Sequence, residues 1–391
     1  MGVVTGLEVL LRSPQTILKG DKVGLLCHQA SVTTDLVHAK DALANLLGDG
    51  LRCLFSPQHG LYAEKQDNMV ESHDCEDDLL RIPVYSLYGE RREPRPDHFS
   101  SIDCLLVDLQ DVGTRVYTYV WTMYLAMKVA EATGRRVVVL DRPNPIGGLQ
   151  VEGNKLSQEN FSFVGMAPIP MRHGMTMGEL AMYFRANFFP GLDLEVVKME
   201  GWRRSMYFDD TGLPWVMPSP NMPTLDTAIV YPGQVLLEGT NLSEGRGTTR
   251  PFEIFGAPYV RPRLLEKGLE AWGLSGFRLR FQPFEPTFNK WKGSRCLGFQ
   301  VHVTDRKAFR PYRFTLAILS IVRREFSEDF EYTSPPYEYE YIRPPIDLLI
   351  GDQRVREAVE RGASSPELAS LLRSDEEAFL EERREWLLYG D

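Results

Sequence analysis

A doubly wound α/β sheet joined to a second, smaller α+β unit is the fold the sequence predicts, and three observations predict it. Between Lys22 and about Val197, short β-branched runs alternate with helical patterns, the mark of a parallel sheet with helices on both faces. Each apolar run ends in polar, Gly or Pro residues. From Pro218 to Pro232 the chain turns Pro- and Gly-rich, and beyond Pro232 its pattern is less regular, so the domain boundary is placed there, giving units 1–228 and 229–391.

KVGLLCH opens as a strand, and Asp35 to Leu47 then puts Leu36, Ala39, Leu43, Leu46 and Leu47 on one helical face that stops at Gly48. RCLFSPQHG, PVYSLYG, IDCLLVDLQDVG and RRVVVLDRPNP are further strands, each running into a polar loop. A helix from about Tyr117 to Thr133, closed by Gly134, separates the last two. Thr176 and Glu179 make a capping box ahead of Leu180 to Phe188, and LEVVKMEG is the next strand. In the second unit FRLRFQPFEP and GFQVHVTD read as strands and Phe314 to Val322 as an apolar helix. Ser374 and Glu377 read as another capping box, ahead of a charged tail that fits a solvated helix.

With 391 residues, 43% of them hydrophobic, the chain buries a core without needing disulfides or a structural metal. Asp and Glu outnumber Lys and Arg by 54 to 44, and a net charge of −10 argues against nucleic acid and anionic membranes as partners. Five cysteines with no CxxC pair indicate neither a disulfide framework nor a zinc ribbon, and suit a reducing compartment. No apolar run reaches the length of a membrane span, and the start lacks the pattern of an export signal. The sequence as given therefore points to the cytoplasm, or to the periplasm or outside if a signal peptide has been removed. It sets no oligomeric state.

Ligands of open α/β sheets bind beyond the carboxyl ends of the strands. Here those ends are SPQHG, SLYG, DLQDVGTR and DRPNP, four polar loops expected to make one cleft holding His59, Asp108, Asp111, Arg115, Asp141 and Arg142. No GxGxxG or GxxxxGK[ST] follows a strand, so a nucleotide cofactor is not expected. GxSxG, HExxH and EF-hand loops are absent as well, so neither an α/β-hydrolase nor a metal is indicated.

What the loops offer is carboxylates: Glu64, Asp67, Glu71, Asp108, Asp111 and Asp141, with Glu238, Glu244 and Glu253 in LLEGTNLSEGRGTTRPFE. Glycoside hydrolysis needs two carboxyls about the bond, one to protonate the leaving oxygen and one to stabilise the cationic state or activate water. Each residue also has a plainer reading. Asp108 and Asp141 suit helix caps or partners for Arg115 and Arg142, and Glu179 is explained by its capping box. His59 and His173 each precede a glycine, where a structural hydrogen bond is the ordinary role. Glu244 and Arg246 fit a salt bridge in a Gly-rich turn. Tyr117, Tyr119, Trp121 and Tyr124 have core spacing, with the first turn facing the cleft.

Taken in order, SPQHG, QDNM-ES, PVYSLYG, D-QDVG-R-YTY-WTM, VLDRPNPIGG, VEG, SF-G, P-RHGMT-GELA, PSPNMPT, YPG and EGTNLSEGRGTTRPFE closely resemble the NamZ-type exo-β-N-acetylmuramidases, long catalogued as a domain of unknown function. The match runs from about residue 5 to beyond 260. The resemblance implies a Rossmann-like N-terminal domain, a smaller C-terminal domain and a cleft near their interface. It also implies removal of terminal N-acetylmuramic acid from the non-reducing end of peptidoglycan fragments, in cell-wall turnover and recycling, with muramyl saccharides as partners. The matching motifs carry the expected substrate-binding residues: Gln58, Arg115, Tyr117, Tyr119, Asp141, Arg142, Asn144, His173, Asn221, Glu238, Asn241, Glu244 and Arg246. Arg115, Arg142 and Arg246 suit the lactyl or peptide carboxylate, which guanidinium binds through paired hydrogen bonds.

One position departs from the family. Its pattern reads P-E-H-G where this chain has Pro57-Gln58-His59-Gly60, and that glutamate is the leading candidate for the catalytic acid. An amide cannot serve so. Glu64 or Glu71 then takes the acid role, with His59 assisting and Asp108 or Asp111 as partner carboxylate. Otherwise the chain is a non-catalytic binder of muramyl sugars, or a different hydrolase or transferase on the same fold. The ordered QDNMVES motif favours a working variant site.

Overall fold

The computed structural model describes residues 2–391. Its strands are β1 (Val23–Cys27), β2 (Leu51–Ser56), β3 (Cys75–Glu76), β4 (Pro83–Ser86), β5 (Cys104–Asp108), β6 (Arg136–Leu140), β7 (Glu152–Lys155), β8 (Pro170–Arg172), β9 (Leu194–Val197), β10 (Ile254–Ala257), β11 (Phe277–Phe281) and β12 (Leu297–Val303). The helices of the first half are α1 (Gly6–Arg12), α2 (Pro14–Leu18), α3 (Ala39–Leu47), α4 (Tyr119–Thr133) and α5 (Met177–Asn187). Those of the second are α6 (Leu225–Gln234), α7 (Pro262–Glu270), α8 (Pro311–Glu325), α9 (Pro345–Ile350), α10 (Gln353–Glu360) and α11 (Ser365–Glu382).

The expected α/β architecture is present. Seven strands lie in the order β3-β4-β2-β1-β5-β6-β9, parallel except for the short edge strand β3. The chain winds outward from β1 to β4, returns to the centre and winds the other way from β5 to β9, so β1 and β5 flank the reversal point. Both are buried along their whole length, as expected of VGLLC and CLLVD beneath helices on two faces. The second half holds the antiparallel sheet β10-β12-β11, packed on α7 and α8, and the hairpin β7-β8 stands apart.

Several local expectations shift. The first predicted helix begins at Ala39 rather than Asp35: Leu36 takes a left-handed φ of 63° and His38 caps the helix by accepting from Lys40 N. Ser374 and Glu377 form no capping box. They lie inside α11, whose buried Leu368, Leu372 and Phe379 run as one stripe past both positions from a start with proline in its first turn. The Pro-rich stretch after 218 is irregular only to Thr224, and the boundary expected at 228 falls inside α6. Gly233 of that helix sits where a Cβ would fall 1.8 Å from Pro311 O, so glycine alone permits this approach to α8.

The two halves share one continuous apolar core reaching from Leu26 to Phe379. Hydrogen bonds sew the seam: Gly153 N donates to Glu376 Oε1 at 3.0 Å, Tyr312 OH to Asn154 Oδ1 at 2.7 Å, and Arg313 N to Glu152 Oε1 at 2.9 Å. No helix among the described residues is long and apolar enough to cross a membrane.

Candidate active site

At the reversal point itself the strand ends are occupied by packed side chains, with a smaller hollow beyond them lined by Ala30, Val32, Gln110 and Arg142. His28, directly after β1, lies wholly buried there, its ring 4.9 Å from that of Tyr119 and its Nε2 accepting from Gln110 N. The open cleft is displaced by one strand. It is walled on the sheet side by Gln58 and His59 after β2 and by Val116 to Tyr119 at the start of α4. The 219–222 segment, Tyr231 on α6, Glu238, Arg246, Phe252, Tyr337 and Glu338 close it from the other side.

Two carboxyls line it, and their surroundings differ. Glu238 Oε1 accepts from Arg246 Nη2 at 2.6 Å, and its Oε2 accepts from Tyr337 OH at 2.6 Å. Glu338 has no cationic partner among its hydrogen bonds. Its Oε2 accepts from Tyr88 OH at 2.6 Å and its Oε1 from Gln58 Nε2 at 3.0 Å. Burial pushes this carboxyl up to about 7, against the opposing pull of those two donors and with help from the nearby Glu238 charge.

Gln58 is fixed from behind. Thr118 stands at the N-cap of α4, where a threonine oxygen ordinarily accepts from the helix backbone. Here it makes no such bond; its hydroxyl donates to Gln58 Oε1 at 2.5 Å. The amide nitrogen is thereby aimed at Tyr88 OH and Glu338. His59, in a left-handed backbone at φ 74°, is held differently: Nδ1 meets Lys65 O at 2.7 Å, and a carbonyl only accepts, so Nδ1 carries the proton. Burial lowers this imidazole to about 4, so near neutral pH it is uncharged.

Of the residues expected at the site, Gln58, His59, Tyr117, Tyr119, Asn221, Glu238 and Arg246 line the cleft. The others do not. Glu64 is exposed, folded back to within 3.3 Å of Tyr62 N, and Glu71 is exposed with its carboxylate at Tyr339 OH, so neither reaches the cavity. Asp108 is clamped by Arg142, whose Nη2 lies 2.9 Å from Oδ2 while Nε contacts Oδ1, and this consumes both residues. Asp111 accepts from Gly113 N at 2.7 Å and lies 3.6 Å from the buried His173. Arg115 spends its guanidinium on Leu349 O and Ile350 O across the seam. Asp141 accepts from Gly178 N, Thr176 Oγ1 and Tyr389 OH, a structural junction at the start of α5. Asn144 holds its own turn through Ile146 N and Met175 O, Asn241 bonds Asp329 O and Tyr259 OH, and Glu244 pairs with Lys290 at 2.8 Å. The single cleft expected from four loops is not formed: of its six named residues only His59 faces the cavity.

Glu338 and Tyr337 escaped the sequence reading, as did Tyr88 and Tyr231. The signal available was the alternation of aromatic and acidic residues in Tyr337-Glu338-Tyr339-Glu340-Tyr341 between two proline pairs, a strand-like period that the structure folds into a turn with Glu338 and Tyr339 left-handed.

Comparison with known proteins agrees with this architecture. Residues 23–226 match the family model described as exo-beta-N-acetylmuramidase NamZ, N-terminal, and residues 229–389 match its C-terminal counterpart. The chain is 42% identical over 387 residues to the peptidoglycan beta-N-acetylmuramidase NamZ of Bacillus subtilis (strain 168), covering 99% of this chain and 91% of that one. A DUF1343 family protein of Bacteroides fragilis superposes with a TM-score of 0.88 at 31% identity, covering 99% of both chains. A second from the same organism gives 0.77 at 27% identity over the full length of each.

Proposed function

Because the chain belongs to the NamZ exo-beta-N-acetylmuramidase family, we propose that it is a glycoside hydrolase releasing N-acetylmuramic acid from the non-reducing end of peptidoglycan fragments, at the cleft between its two halves. The observation that carries this reading is a pair of buried carboxyls, Glu238 and Glu338, in one small cavity, one ion-paired and the other held near neutrality. Two carboxyls set apart by environment are what glycosidic cleavage requires.

The rest of the cavity suits a terminal sugar. Tyr117, Tyr119 and Tyr231 supply an aromatic wall against which a sugar ring can pack. Arg246 lines the cleft, its Nη1 has no hydrogen-bond acceptor and only the Asp67 carboxylate 3.7 Å away, and it is the guanidinium left for the lactyl carboxylate; Arg115 and Arg142 are committed elsewhere. Residues 1–228 supply the wall with Gln58, and 229–391 supply both carboxyls. A reading of the cleft as a mere binding site rests on Gln58 alone, and Glu338 beside it removes that ground. Five free cysteines, four of them buried, fit a reducing compartment, and cytoplasmic action on recovered fragments is proposed accordingly.

The test is release of 4-nitrophenol from its β-N-acetylmuramic acid glycoside, with the matched N-acetylglucosamine glycoside as control. Turnover of the first and not the second is expected. Equal turnover of both, or of neither, overturns the assignment.

A further inference from the structure

We propose that Glu338 is the catalytic proton donor to the glycosidic oxygen, and that Gln58 is the positioning residue that holds it. This rests on the muramidase reading of the cleft.

The direction of every hydrogen bond about Glu338 can be derived. Gln58 Oε1 is an acceptor only, so the Thr118 hydroxyl donates to it. Gln58 Nε2 is a donor only and reaches both Tyr88 OH, at 3.1 Å, and Glu338 Oε1. Met69 N also donates to Tyr88 OH, at 2.9 Å, so both lone pairs of that hydroxyl are occupied and its one proton goes to Glu338 Oε2. The carboxyl is thus fixed at both oxygens, with one lone pair on each left over. Either can carry the acidic proton.

The backbone is fixed as well. Glu338 and Tyr339 are consecutive non-glycine residues at φ 46° and 65°, a conformation that costs about 1–3 kcal/mol per residue and persists where the surroundings impose it. Here the turn is closed by reciprocal bonds between Tyr337 and Glu340, each 2.9 Å. The effect is to deliver a carboxyl from the second half onto the Gln58 side of the cleft. Other donors fail by position or state. Glu238 is tied to Arg246, His59 is uncharged with its one N–H donated to Lys65 O, and Glu64 and Glu71 lie outside the cavity.

In the step proposed, the Glu338 proton passes to the glycosidic oxygen as the C1–O bond breaks and its electron pair leaves with that oxygen. The positive charge developing at C1 faces the Glu238 carboxylate. Water then adds to C1, and the proton it releases ends on the carboxylate pair, restoring the starting state.

Three measurements on the whole enzyme test this. Glu338→Gln should lower kcat/KM on N-acetylmuramyl-N-acetylglucosamine by about 10²–10⁴-fold, and on the 4-nitrophenyl glycoside by less than tenfold, since a good leaving group needs little protonation. The alkaline limb of the parent pH profile should vanish in this variant. Gln58→Met removes a donor to the anion, so that limb should move up by about one pH unit, which a merely structural role would not produce. Equal losses on both substrates, an unmoved limb in Gln58→Met, or leaving-group dependence in Glu238→Gln instead would overturn the proposal while leaving the muramidase reading intact. A parent inactive on both substrates overturns that reading and this one with it. Matched near-ultraviolet circular dichroism excludes misfolding, and the Gln58→Met limb decides the matter if Glu338→Gln fails to fold.

Discussion

Replacing Glu338 by Gln should change the pH dependence of stability as well as catalysis. The carboxyl is 5% exposed, and burial lifts it from an ordinary value of 4.5 to about 7. A group raised in the folded state contributes stability that is complete below its unfolded value and is lost as pH rises through the folded one. At 1.36 kcal/mol per pH unit, the interval from 4.5 to about 7 amounts to about 3 kcal/mol. Gln has no such interval. It does carry an amide nitrogen into a place where both neighbours donate, at a constant cost of about 1 kcal/mol. The variant should therefore be about 1 kcal/mol less stable than the parent at pH 4.5 and about 2 kcal/mol more stable at pH 8. Asp141 and Glu152, also lifted by burial to about 6 and about 7, are common to both proteins and cancel. Urea unfolding followed by tryptophan fluorescence at pH 4.5, 6, 7 and 8 measures the difference. A difference that stays flat, or that grows toward acid, would show that Glu338 is ionised throughout and would refute the reasoning.

Other consequences are as direct. Arg142→Met leaves Asp108 buried without its clamp and should cost about 3–5 kcal/mol in urea unfolding; full stability with lost activity would place this pair in the site instead. Tyr389→Phe removes the hydroxyl that donates to Asp141 at 2.6 Å, and should loosen the chain end by about 1.5–3 kcal/mol, read as faster carboxypeptidase trimming. His59, lowered to about 4, contributes stability that is full above pH 6.5 and lost as pH falls toward 4, so His59→Asn should narrow the parent's acid loss between those limits. Activity should survive EDTA, because the chemistry is assigned to carboxyls; loss restored by a divalent metal would contradict it.

The sheet was legible because its strands are written as local apolar runs ending in polar loops, and SPQHG placed Gln58 and His59 at the mouth of a strand on that ground alone. The carboxylates were harder. Asp108 and Arg142 are each visible in the sequence, but only the approach of β5 to β6 shows that they saturate one another. Asp141 reads as a strand-end acid, and nothing local reveals that a tyrosine 248 residues later occupies it. Glu338 lies 280 residues from Gln58, in a turn with left-handed residues where the alternating sequence forms no strand, so its placement is set by tertiary approach. The misread capping box has the same origin: Ser374 carries the right spacing, and a continuous buried stripe on α11 overrides it.

Because Glu338 arrives from the second half, the order of synthesis matters. A ribosome making about 5–20 residues per second needs roughly fifteen seconds to a minute to add the 280 residues between Gln58 and Glu338. During that interval the sheet can form, with its tyrosines and its amide already in place, but it holds no acid. The cleft stays unfinished until the 337–340 turn is made and docks on Tyr88.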